Sequence, residues 1–562
     1  MDRHGSQVGA GRLGRGAAAL LSLPPLAFLA IFFVLPVASI ILEGLRPDGV
    51  WALDSVGEVL SDPDLRGVIW FSAWQAALST VLTMLVGLPI AYVLARFEFR
   101  GRGFVQAAVT VPFVLPTVVV GVAFLAVLGP DGPVSGVLGR WWGATPVDLR
   151  GTLAAVLIAH VFFNIAVVVR VVGGLLESTD PRMEDAAASL GAGRLRTAWY
   201  VVLPLARPAI VSAAGIVFLF TFASFGVVLL LGGPQHSTLE VEIHRQTAQL
   251  LDLPVAAALS LIQLAIIGLL LAVGVDRQQD VVVEQTQASG GSGARPPQRL
   301  GERATVVAVL GVATVLLGVP LWMLVSRSFR AAEGGWTLEW YRRLAEPDSS
   351  VLNAPALDAV RNSLEFAVVA SLVAVAVGLC ASVVVTRGPR RWGQRLDLFL
   401  LLPLGVSAVT VGFGFLISLD EPPLDLRSSR LLIPMAQALV AVPFVVRIIV
   451  PSLASIDRRM REAAAVLGAS PARVWREVDL PLVARSVAVA AGFAFALSLG
   501  EFGATVFIAR AETTTVPVAI LRLFGRPGAA NVGQAMALAT ILMVMTTFSL
   551  LAISRLRPRM SR

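Results

Sequence analysis

The segment REAAAVLGASPARVWREVDLP, from Arg461 to Pro481, interrupts a chain that is otherwise strongly apolar. A similar segment, EDAAASLGAGRLRTAWYVVLP, runs from Glu184 to Pro204, 277 positions earlier. Aligned without gaps, residues 184–215 and 461–492 are identical at 14 of 32 positions. A charged, alanine-rich segment that occurs twice in an apolar chain indicates an internal repeat.

The composition indicates a membrane protein. The 562 residues are 56% hydrophobic and 15% charged, with a mean hydropathy of +0.78, whereas soluble domains carry about 25% charged residues. A soluble fold this apolar would expose large adhesive patches. The lipid bilayer is therefore the expected solvent. The single cysteine, Cys380, excludes a disulfide framework within the chain.

Twelve apolar segments are long enough to cross a membrane, because a transmembrane helix needs about 20 residues to span about 30 Å of hydrocarbon. The first segment follows three arginines but is longer than a signal-peptide core, which favours an uncleaved helix. The predicted fold class is all-α, a polytopic membrane protein with two parallel halves of six helices each. The predicted spans are residues 17–42, 68–95, 104–128, 152–173, 209–231, 254–275, 304–326, 362–386, 397–418, 431–452, 486–508 and 531–554.

The distribution of arginine predicts the orientation of the chain. All 45 basic residues are arginine. With the N-terminus inside, about 28 of them fall in inward loops and tails and about 15 in outward loops. Positive charge is retained on the cytoplasmic side, so both termini are predicted to be cytoplasmic. The arginines are dispersed among loops instead of forming one face, which argues against a nucleic-acid partner.

A polar segment divides the chain into similar halves. Residues 276–303 are rich in Gly, Ser, Pro and Gln and predict a flexible cytoplasmic linker between residues 1–275 and residues 304–562. Each half has an even number of spans, so both halves begin on the same side of the membrane and the repeat is parallel. Up to and including the third span, corresponding residues of the two halves are 291 positions apart. Gly87, Arg96, Pro112 and Gly121 thus recur as Gly378, Arg387, Pro403 and Gly412. Beyond the third span, corresponding residues are 277 positions apart.

The repeated segments lie in inward loops near residues 180–206 and 457–483. In the second loop, Asp457 is predicted to cap a short helix that Gly468 terminates, and Ser470 to cap another. The first loop has the equivalent residues Asp180 and Gly191.

The alanines of each loop leave one helix face without bulky side chains, so that the helix could seat deep in a groove of a second protein. The Leu-Pro pair that follows is predicted to mark the turn back toward the membrane. Two such features at matching places in the two halves suit a partner that itself has two similar parts.

These loops resemble the signature loop of permease subunits in bacterial ABC importers. The shared pattern is Glu-Ala-Ala, three residues, Gly, and a Leu-Pro pair farther on. The resemblance covers nearly the whole chain, and two fused halves resemble the ferric-iron and thiamine importer group. The first loop departs from the pattern by having Asp for Glu. The matching residues are Asp185, Ala186, Ala187, Gly191, Leu203 and Pro204 in the first loop, and Glu462, Ala463, Ala464, Gly468, Leu480 and Pro481 in the second.

The resemblance implies a function and a set of partners. In that family the loop forms a coupling helix that docks on a nucleotide-binding subunit. The chain would then be a transport subunit of the bacterial inner (plasma) membrane, with two separate ATPase subunits and an extracytoplasmic solute-binding protein. Thiamine and ferric iron are the substrates that the resemblance favours. Residues 229–246 also resemble a loop of thiamine permeases that is followed by a short reentrant or lateral helix.

The chain itself lacks the residues for hydrolysing ATP. A phosphate-binding Walker loop needs a lysine, and the chain has none. The ATPase is therefore predicted to be a separate polypeptide, and the chain is not predicted to be an enzyme. The four histidines show no metal-ligand spacing, although His236 and His244 share an outer loop. Neither a metal nor a cofactor is predicted.

Few charged residues fall at membrane depth. Glu501 lies in the predicted eleventh span between Gly500 and Gly503, and its counterpart in the first half is a serine. A lone carboxylate there could guide a cation or bond to a neighbouring helix, and both alternatives remain open. The candidate pathway residues are Glu501, Ser224, Phe225 and Phe502.

Other functions fit parts of the sequence. An ion-coupled secondary transporter would need titratable groups near the membrane midplane, where Glu501 is the one good candidate, and would leave the duplicated loops unexplained. The segment LGEFGATVF also resembles molybdate and sulfate permeases, although those are usually chains of one half. A membrane enzyme is disfavoured because the sequence shows no paired carboxylates, nucleophile elbow or metal cluster at membrane depth.

Overall fold

The computed structural model describes residues 13–46, 54–142, 147–180, 182–285, 294–348, 351–352, 354–420 and 424–556. The helices of the first half are α1 (Arg15–Leu29), a π-helix (Ala30–Val34), α2 (Leu35–Leu45), α3 (Asp54–Ser61), α4 (Pro63–Arg96), α5 (Arg102–Val114), α6 (Thr117–Leu128), α7 (Pro133–Trp142), α8 (Leu153–Ser178), α9 (Arg182–Ser189), α10 (Arg194–Thr197), a π-helix (Ala198–Val202), α11 (Leu203–Phe222), α12 (Gly226–Leu231), α13 (Leu239–Arg245), a π-helix (Gln246–Leu250) and α14 (Leu253–Gln285).

The second half begins with a long helix of its own. Its elements are α15 (Leu300–Ser328), α16 (Glu339–Arg343), β1 (Pro347–Asp348), β2 (Ala354–Pro355), α17 (Ala356–Arg387), α18 (Arg390–Leu401), a 3-10 helix (Leu402–Gly405), α19 (Ala408–Ser418), α20 (Leu432–Ala454), α21 (Arg458–Val466), α22 (Pro471–Val474), a π-helix (Trp475–Asp479), α23 (Leu480–Gly500), α24 (Thr505–Ile508), α25 (Val516–Phe524) and α26 (Ala529–Leu556).

The predicted all-α class is confirmed. Within the described residues the strands are a single antiparallel pair, β1 with β2, of two residues each. The same part of the chain has eleven helices that are long and apolar enough to cross a membrane, against twelve predicted spans. The protein is therefore a polytopic membrane protein.

The predicted third and ninth spans are each broken. α5 ends before Pro116, because a residue that precedes proline is disfavoured in the helical region, and Leu115 is accordingly extended with ψ 138°. In the second half the 3-10 helix separates α18 from α19. The 11 residues of α19 reach only about 17 Å, at about 1.5 Å per residue, and do not span a bilayer alone.

The predicted fifth and eleventh spans are also interrupted, at matching positions. α11 ends at Phe222 and α12 begins at Gly226, while α23 ends at Gly500 and α24 begins at Thr505. The sequence analysis placed Glu501 inside the eleventh span. In the structure it does not lie inside a helix. It has extended backbone, with φ −65° and ψ 126°, and lies in the break between two helices.

Two repeated glycines explain how closely the helices of each half pack. A Cβ atom on Gly87 of α4 would lie 2.9 Å from Val168 of α8, and one on Gly378 of α17 would lie 2.6 Å from Val445 of α20. Small residues let helix backbones approach closely in membranes, where van der Waals packing is a main force between helices. The close contact between the second and fourth spans is thus built the same way twice.

A second pair of repeated glycines allows close packing at the interrupted fifth and eleventh spans. A Cβ atom on Gly121 of α6 would meet Leu230 of α12 at 2.5 Å, and one on Gly412 of α19 would meet Ala504, just before α24, at 2.6 Å. The short helices after each break therefore pack directly on glycine-bearing helices.

The helices form two compact units that do not coincide with the two halves of the sequence. Unit I combines α1 and α2 with α17 through α25 and residues 541–556. Unit II combines α3 through α15 with residues 527–540. The first helix of each half is thus part of the unit that contains most of the other half. In unit I, for example, Phe28 and Leu29 of α1 share a core with Ala370 and Ala374 of α17.

The range predicted to be a linker contains helical residues and a β-bridge. Residues 276–285 continue α14, and residues 294–299 precede α15 in unit II. There, Arg295 and Phe97 form a parallel β-bridge, in which the backbone N–H of Glu98 donates to the carbonyl of Arg295 at 3.0 Å. Residues 286–293 lie outside the described residues.

Candidate functional site

The first loop contains a short exposed helix, α9, that is terminated by a left-handed glycine. Gly191 has φ 81°, and the backbone N–H of Ala192 donates to the carbonyl of Ala187 at 3.0 Å. This pairing is the usual way to end a helix, and glycine accepts it without strain. The side chain of Asp180 accepts a hydrogen bond from the backbone N–H of Arg182 at 2.9 Å, so it supports the start of the helix.

The second loop has the same construction. Gly468 has φ 80°, and the backbone N–H of Ala469 donates to the carbonyl of Ala464 at 3.0 Å. Asp457 caps α21 by accepting from Arg459 at 2.9 Å, and Ser470 caps α22. The predicted caps and terminator are therefore present.

The Leu-Pro pairs do not mark a turn, which corrects the sequence analysis. Residues 194–222 form one continuous helical run, as do residues 471–500. Proline inside a helix lacks an N–H and clashes with the preceding turn. A π-turn before each proline relieves this, because Leu203 donates to the carbonyl of Ala198 and Leu480 to that of Trp475. Pro204 and Pro481 therefore follow widened turns.

Each loop exposes large apolar side chains at matching positions. Leu190 and Leu467 are 88% and 86% exposed, and Met183 and Met460 are 49% and 47% exposed. Ala186 and Ala463 are also exposed. Large exposed apolar groups that are not scattered singly mark interaction surfaces. The sequence analysis missed the two leucines and methionines, although each pair is identical at the offset of 277.

The acidic residues of the pattern have different surroundings in the two loops. Asp185 is exposed and lines a cavity of about 720 Å³ in unit II, together with Tyr92, Arg96 and Arg295. Glu462 forms an ion pair with Arg458 at 2.6 Å on its own helix.

The Glu302 carboxylate accepts a hydrogen bond from the guanidinium of Arg295 and thereby raises the pKa of Arg295 above its usual value.

Ser224, a candidate pathway residue, belongs to a buried polar chain in unit II. The Nε2 atom of His160 lies 2.9 Å from Ser224 Oγ, and its Nδ1 atom lies 3.0 Å from Ser79 Oγ. All three side chains are buried. Phe225 packs edge-on against the ring of His244, with 5.3 Å between centroids. Sequence reasoning weighed His160 only as a metal ligand.

Glu501, the second candidate, uses its carboxylate to cap α24. Oε1 accepts from the backbone N–H of Ala504 at 2.8 Å, and Oε2 accepts from the backbone N–H of Thr505 at 3.1 Å and from the Thr505 hydroxyl. Phe502, beside it, is 3% exposed. Of the two alternatives, these contacts favour a structural role for Glu501.

The two outer-loop histidines are held separately. His236 Nδ1 lies within 3.1 Å of the carbonyl oxygens of Gly151 and Gly232, whereas His244 packs on Phe225. In the part of the chain that the structure describes, no group of three or more His, Cys, Asp or Glu side chains could hold a metal ion.

Short helices follow the outer loops of both halves. α13 and α25 occupy matching places in the two halves. α13 lies within residues 229–246, whereas the loop resemblance implied a short helix after that range. Glu240 and Glu242 of α13 are 0% and 1% exposed. Glu240 accepts from Gln263, and Glu242 accepts from Gln246 at 2.7 Å. These buried carboxylates were not singled out from the sequence, because α13 appeared there only as a loop.

Comparisons with known proteins show the family of the chain. The model of the family "Binding-protein-dependent transport system inner membrane component" matches residues 85–287 and 356–562. The thiamine transport system permease protein ThiP of Salmonella typhimurium is 28% identical over 94% of this chain and 96% of its own length. The probable ABC transporter permease protein y4fN of Sinorhizobium fredii is 26% identical over 87% of this chain and 88% of its own.

A third relative matches a shorter stretch. The molybdenum transport system permease protein ModB of Azotobacter vinelandii is 39% identical over 174 residues, which cover 31% of this chain and 75% of its own length. Permease subunits of this kind are not themselves enzymes. The chain therefore belongs to the family of binding-protein-dependent transport system inner membrane components, as a multi-pass inner-membrane permease of the ABC-importer class that carries the family's domain twice.

Proposed function

We propose that this permease imports thiamine and is driven by two separate ATPase subunits, one docked on α9 and one on α21. The observation that carries the proposal is the repeated exposure of Leu190 and Leu467 beside alanine-rich helices. A leucine side chain that becomes fully buried in a pocket of a partner gains about 1.5–3 kcal/mol from the removal of apolar surface from water, and an alanine face lets two backbones approach closely. The pattern residues Asp185 and Glu462 would fix the register at the rim of each contact.

The orientation follows from the arginine distribution. The loops that contain α9 and α21 are on the arginine-rich side together with both termini, and positive residues are retained in the cytoplasm. Cytoplasmic ATPase subunits would therefore reach both loops. The solute-binding protein of the system would dock on the opposite face, where α13 and α25 lie near the outer loops.

Thiamine is supported as the substrate by the length of the match to ThiP, which covers nearly all of both chains. The ModB match is higher in identity but covers 31% of this chain, so an oxyanion such as molybdate is the second candidate. Ferric iron, which the sequence resemblance also favoured, is a third outcome of the substrate test.

Coupling would work through rigid packing. Closure of the ATPase pair on ATP would displace α9 and α21. Each loop is continuous with the helical run of the fifth or eleventh span, and a helix transmits displacement along its axis. The second and fourth spans of each half pack through Gly87 and Gly378 and would move as one body, which exposes the substrate path alternately to the two sides.

The test is reconstitution of the permease with its ATPase subunits in proteoliposomes, with the solute-binding protein supplied outside. We expect uptake of radiolabelled thiamine that requires ATP inside the vesicles. Labelled molybdate and ferric iron, each offered at equal concentration, serve as matched alternatives. Uptake that follows a membrane potential in vesicles without any ATPase would instead establish an ion-coupled transporter and overturn the proposal.

A further inference from the structure

Arg96 connects three elements of unit II at the base of the first loop. Its NH1 atom donates to the carbonyl oxygens of Leu176 and Thr179, both at 2.9 Å, at the end of α8. Its Nε atom lies 2.7 Å from Glu184 Oε1 in α9, and the Arg96 side chain is 6% exposed. Tyr92 donates to the other oxygen of Glu184 at 2.9 Å. One buried arginine therefore joins α4, α8 and α9.

The equivalent arginine of unit I, Arg387, makes a different connection. Its NH2 atom lies 2.5 Å from Asp479 Oδ1, and Asp479 is completely buried. The same oxygen accepts from Arg461 Nε at 2.7 Å, and Arg461 NH2 donates to the carbonyl of Leu453 at 3.2 Å. The guanidinium of Arg387 also lies 5.4 Å from the ring centre of Trp475. Here one aspartate of the π-helix Trp475–Asp479 connects the end of α17 with α21, and α21 is bonded in turn to the end of α20.

The two networks connect corresponding elements of the two halves, but different positions supply the charged side chains. Leu176 and Leu453 correspond at the offset of 277, so the same carbonyl receives a guanidinium in both halves, from α4 in one and from α21 in the other. The loop position that is Glu184 in the first half is Arg461 in the second. The position that is Val202 in the first half is Asp479 in the second. The first network therefore has one guanidinium and one carboxylate, whereas in the second network two guanidinium groups share one carboxylate.

We propose that Arg96 with Glu184, and Arg387 with Asp479 and Arg461, are positioning residues that carry the displacement of each coupling loop into the second and fourth spans. This inference rests on the proposed ATPase-driven function. Removing one partner from a buried ion pair leaves an uncompensated charge, which is strongly unfavourable. Each network therefore holds its loop at a fixed position against the second and fourth spans. The two arrangements of charged residues are expected to be interchangeable.

The experiment converts the second arrangement into the first. Arg461→Glu places a carboxylate beside Asp479, and Asp479→Val leaves Arg387 and Arg461 without their counter-ion. We expect each single variant to transport at least about tenfold less thiamine per ATP hydrolysed, because buried like charges repel and unpaired charges are costly. The double variant Arg461→Glu/Asp479→Val recreates the Arg–Glu pair and the valine of the first half, although Val383 stands at the position of Tyr92. We expect it to recover to within about twofold of the parent protein.

Controls separate this inference from folding and from the proposed function. Arg473→Gln changes an exposed ion pair in the same loop, Arg473 with Glu477 at 3.6 Å, and is expected to leave the ratio of transport to hydrolysis unchanged. Elution volume and detergent melting temperature report folding of each variant. Full coupling in folded single variants, or no rescue in a folded double variant, would overturn the inference while leaving ATP-driven transport intact. A parent protein that does not bind ATPase subunits would overturn the proposed function itself.

Discussion

Ser72 Oγ accepts a hydrogen bond from the backbone N–H of Leu239 at 2.9 Å. The second half repeats this contact between Ser363 and Val516 at 2.8 Å. The serines correspond at the offset of 291 and their donors at 277. In each half, the second span therefore holds the start of the short outer helix by one side chain, and the outer helix has a fixed place on the transmembrane core.

Replacing these serines by alanine should destabilise the outer helices. Both serines are buried, so Ser72→Ala or Ser363→Ala leaves a buried N–H unsatisfied at a cost of about 1–3 kcal/mol. Limited proteolysis after Arg245 or Arg522 measures the local opening. Ser61→Ala, which removes an exposed hydroxyl contact, is the matched control and should not alter cleavage. Equal cleavage of all variants would contradict the prediction.

Valine at Gly191 or Gly468 should uncouple transport from ATP hydrolysis. Both glycines have positive φ, but a Cβ atom would meet nothing within 4 Å, so the effect comes from backbone strain alone. That strain is about 1–2 kcal/mol for a side chain in the left-handed region. The measurement is thiamine uptake per ATP. Gly193→Ala, in the same loop and equally open, should behave as the parent, and coupled transport in the valine variants would refute the assignment.

Alanine at Leu190 or Leu467 should weaken ATPase binding. A leucine side chain that becomes fully buried at an interface contributes about 1.5–3 kcal/mol. Its loss should therefore weaken binding by about tenfold or more, because each change of about 1.4 kcal/mol is a factor of about ten in the dissociation constant. Binding of the permease in detergent to immobilised ATPase subunits gives the dissociation constant. Leu338→Ala changes a leucine that is 54% exposed on another loop and should have no effect. Unchanged binding in the first two variants would remove these leucines from the interface.

Alanine at Gly378 should destabilise unit I, and a second change should restore it. Its Cβ atom would lie 2.6 Å from Val445 Cγ1, and overpacking of this kind costs about 1–3 kcal/mol. Gly378→Ala/Val445→Ala removes the clashing methyl groups and should melt closer to the parent protein. Gly311→Ala, at a glycine with open surroundings, is the control. A Gly378→Ala variant with parental melting temperature would show that the helices tolerate wider spacing.

Alanine at Glu501 should lower stability without altering substrate affinity. The carboxylate accepts from two backbone N–H groups and a hydroxyl at the start of α24, and each buried donor left unpaired costs about 1–3 kcal/mol. We expect a lower melting temperature and an unchanged KM for thiamine uptake. A raised KM in protein of normal stability would instead assign Glu501 to the substrate pathway.

Much of the fold could be predicted from the sequence because periodic signals carry it. Apolar length identifies membrane helices, and the repeat at an offset of 277 with Asp457 and Gly468 predicts the short loop helices α9 and α21 and their ends. The interruptions after Phe222 and Gly500 were not predicted, because the apolar composition continues through them and hydropathy does not register a change of backbone direction.

Contacts between distant residues were beyond sequence reasoning. Nothing in the sequence alone indicates that Ser79, His160 and Ser224 meet, because 81 and 64 positions separate the bonded pairs. The exposed Leu190 and Leu467 were overlooked for another reason. In an apolar chain, the sequence does not distinguish an exposed leucine from a buried one, and only the structure shows that these two lie outside the core.

The exchange of first helices has a consequence for a severed chain. A cut between residues 286 and 293 would produce two polypeptides, of which the first supplies α1 and α2 to unit I and the second supplies α15 to unit II. Each fragment would then contribute its first helix or helices to a unit that consists mostly of the other fragment. Continuous backbone is therefore not what keeps the two halves associated, and the fragments should be purified together through a tag on either one.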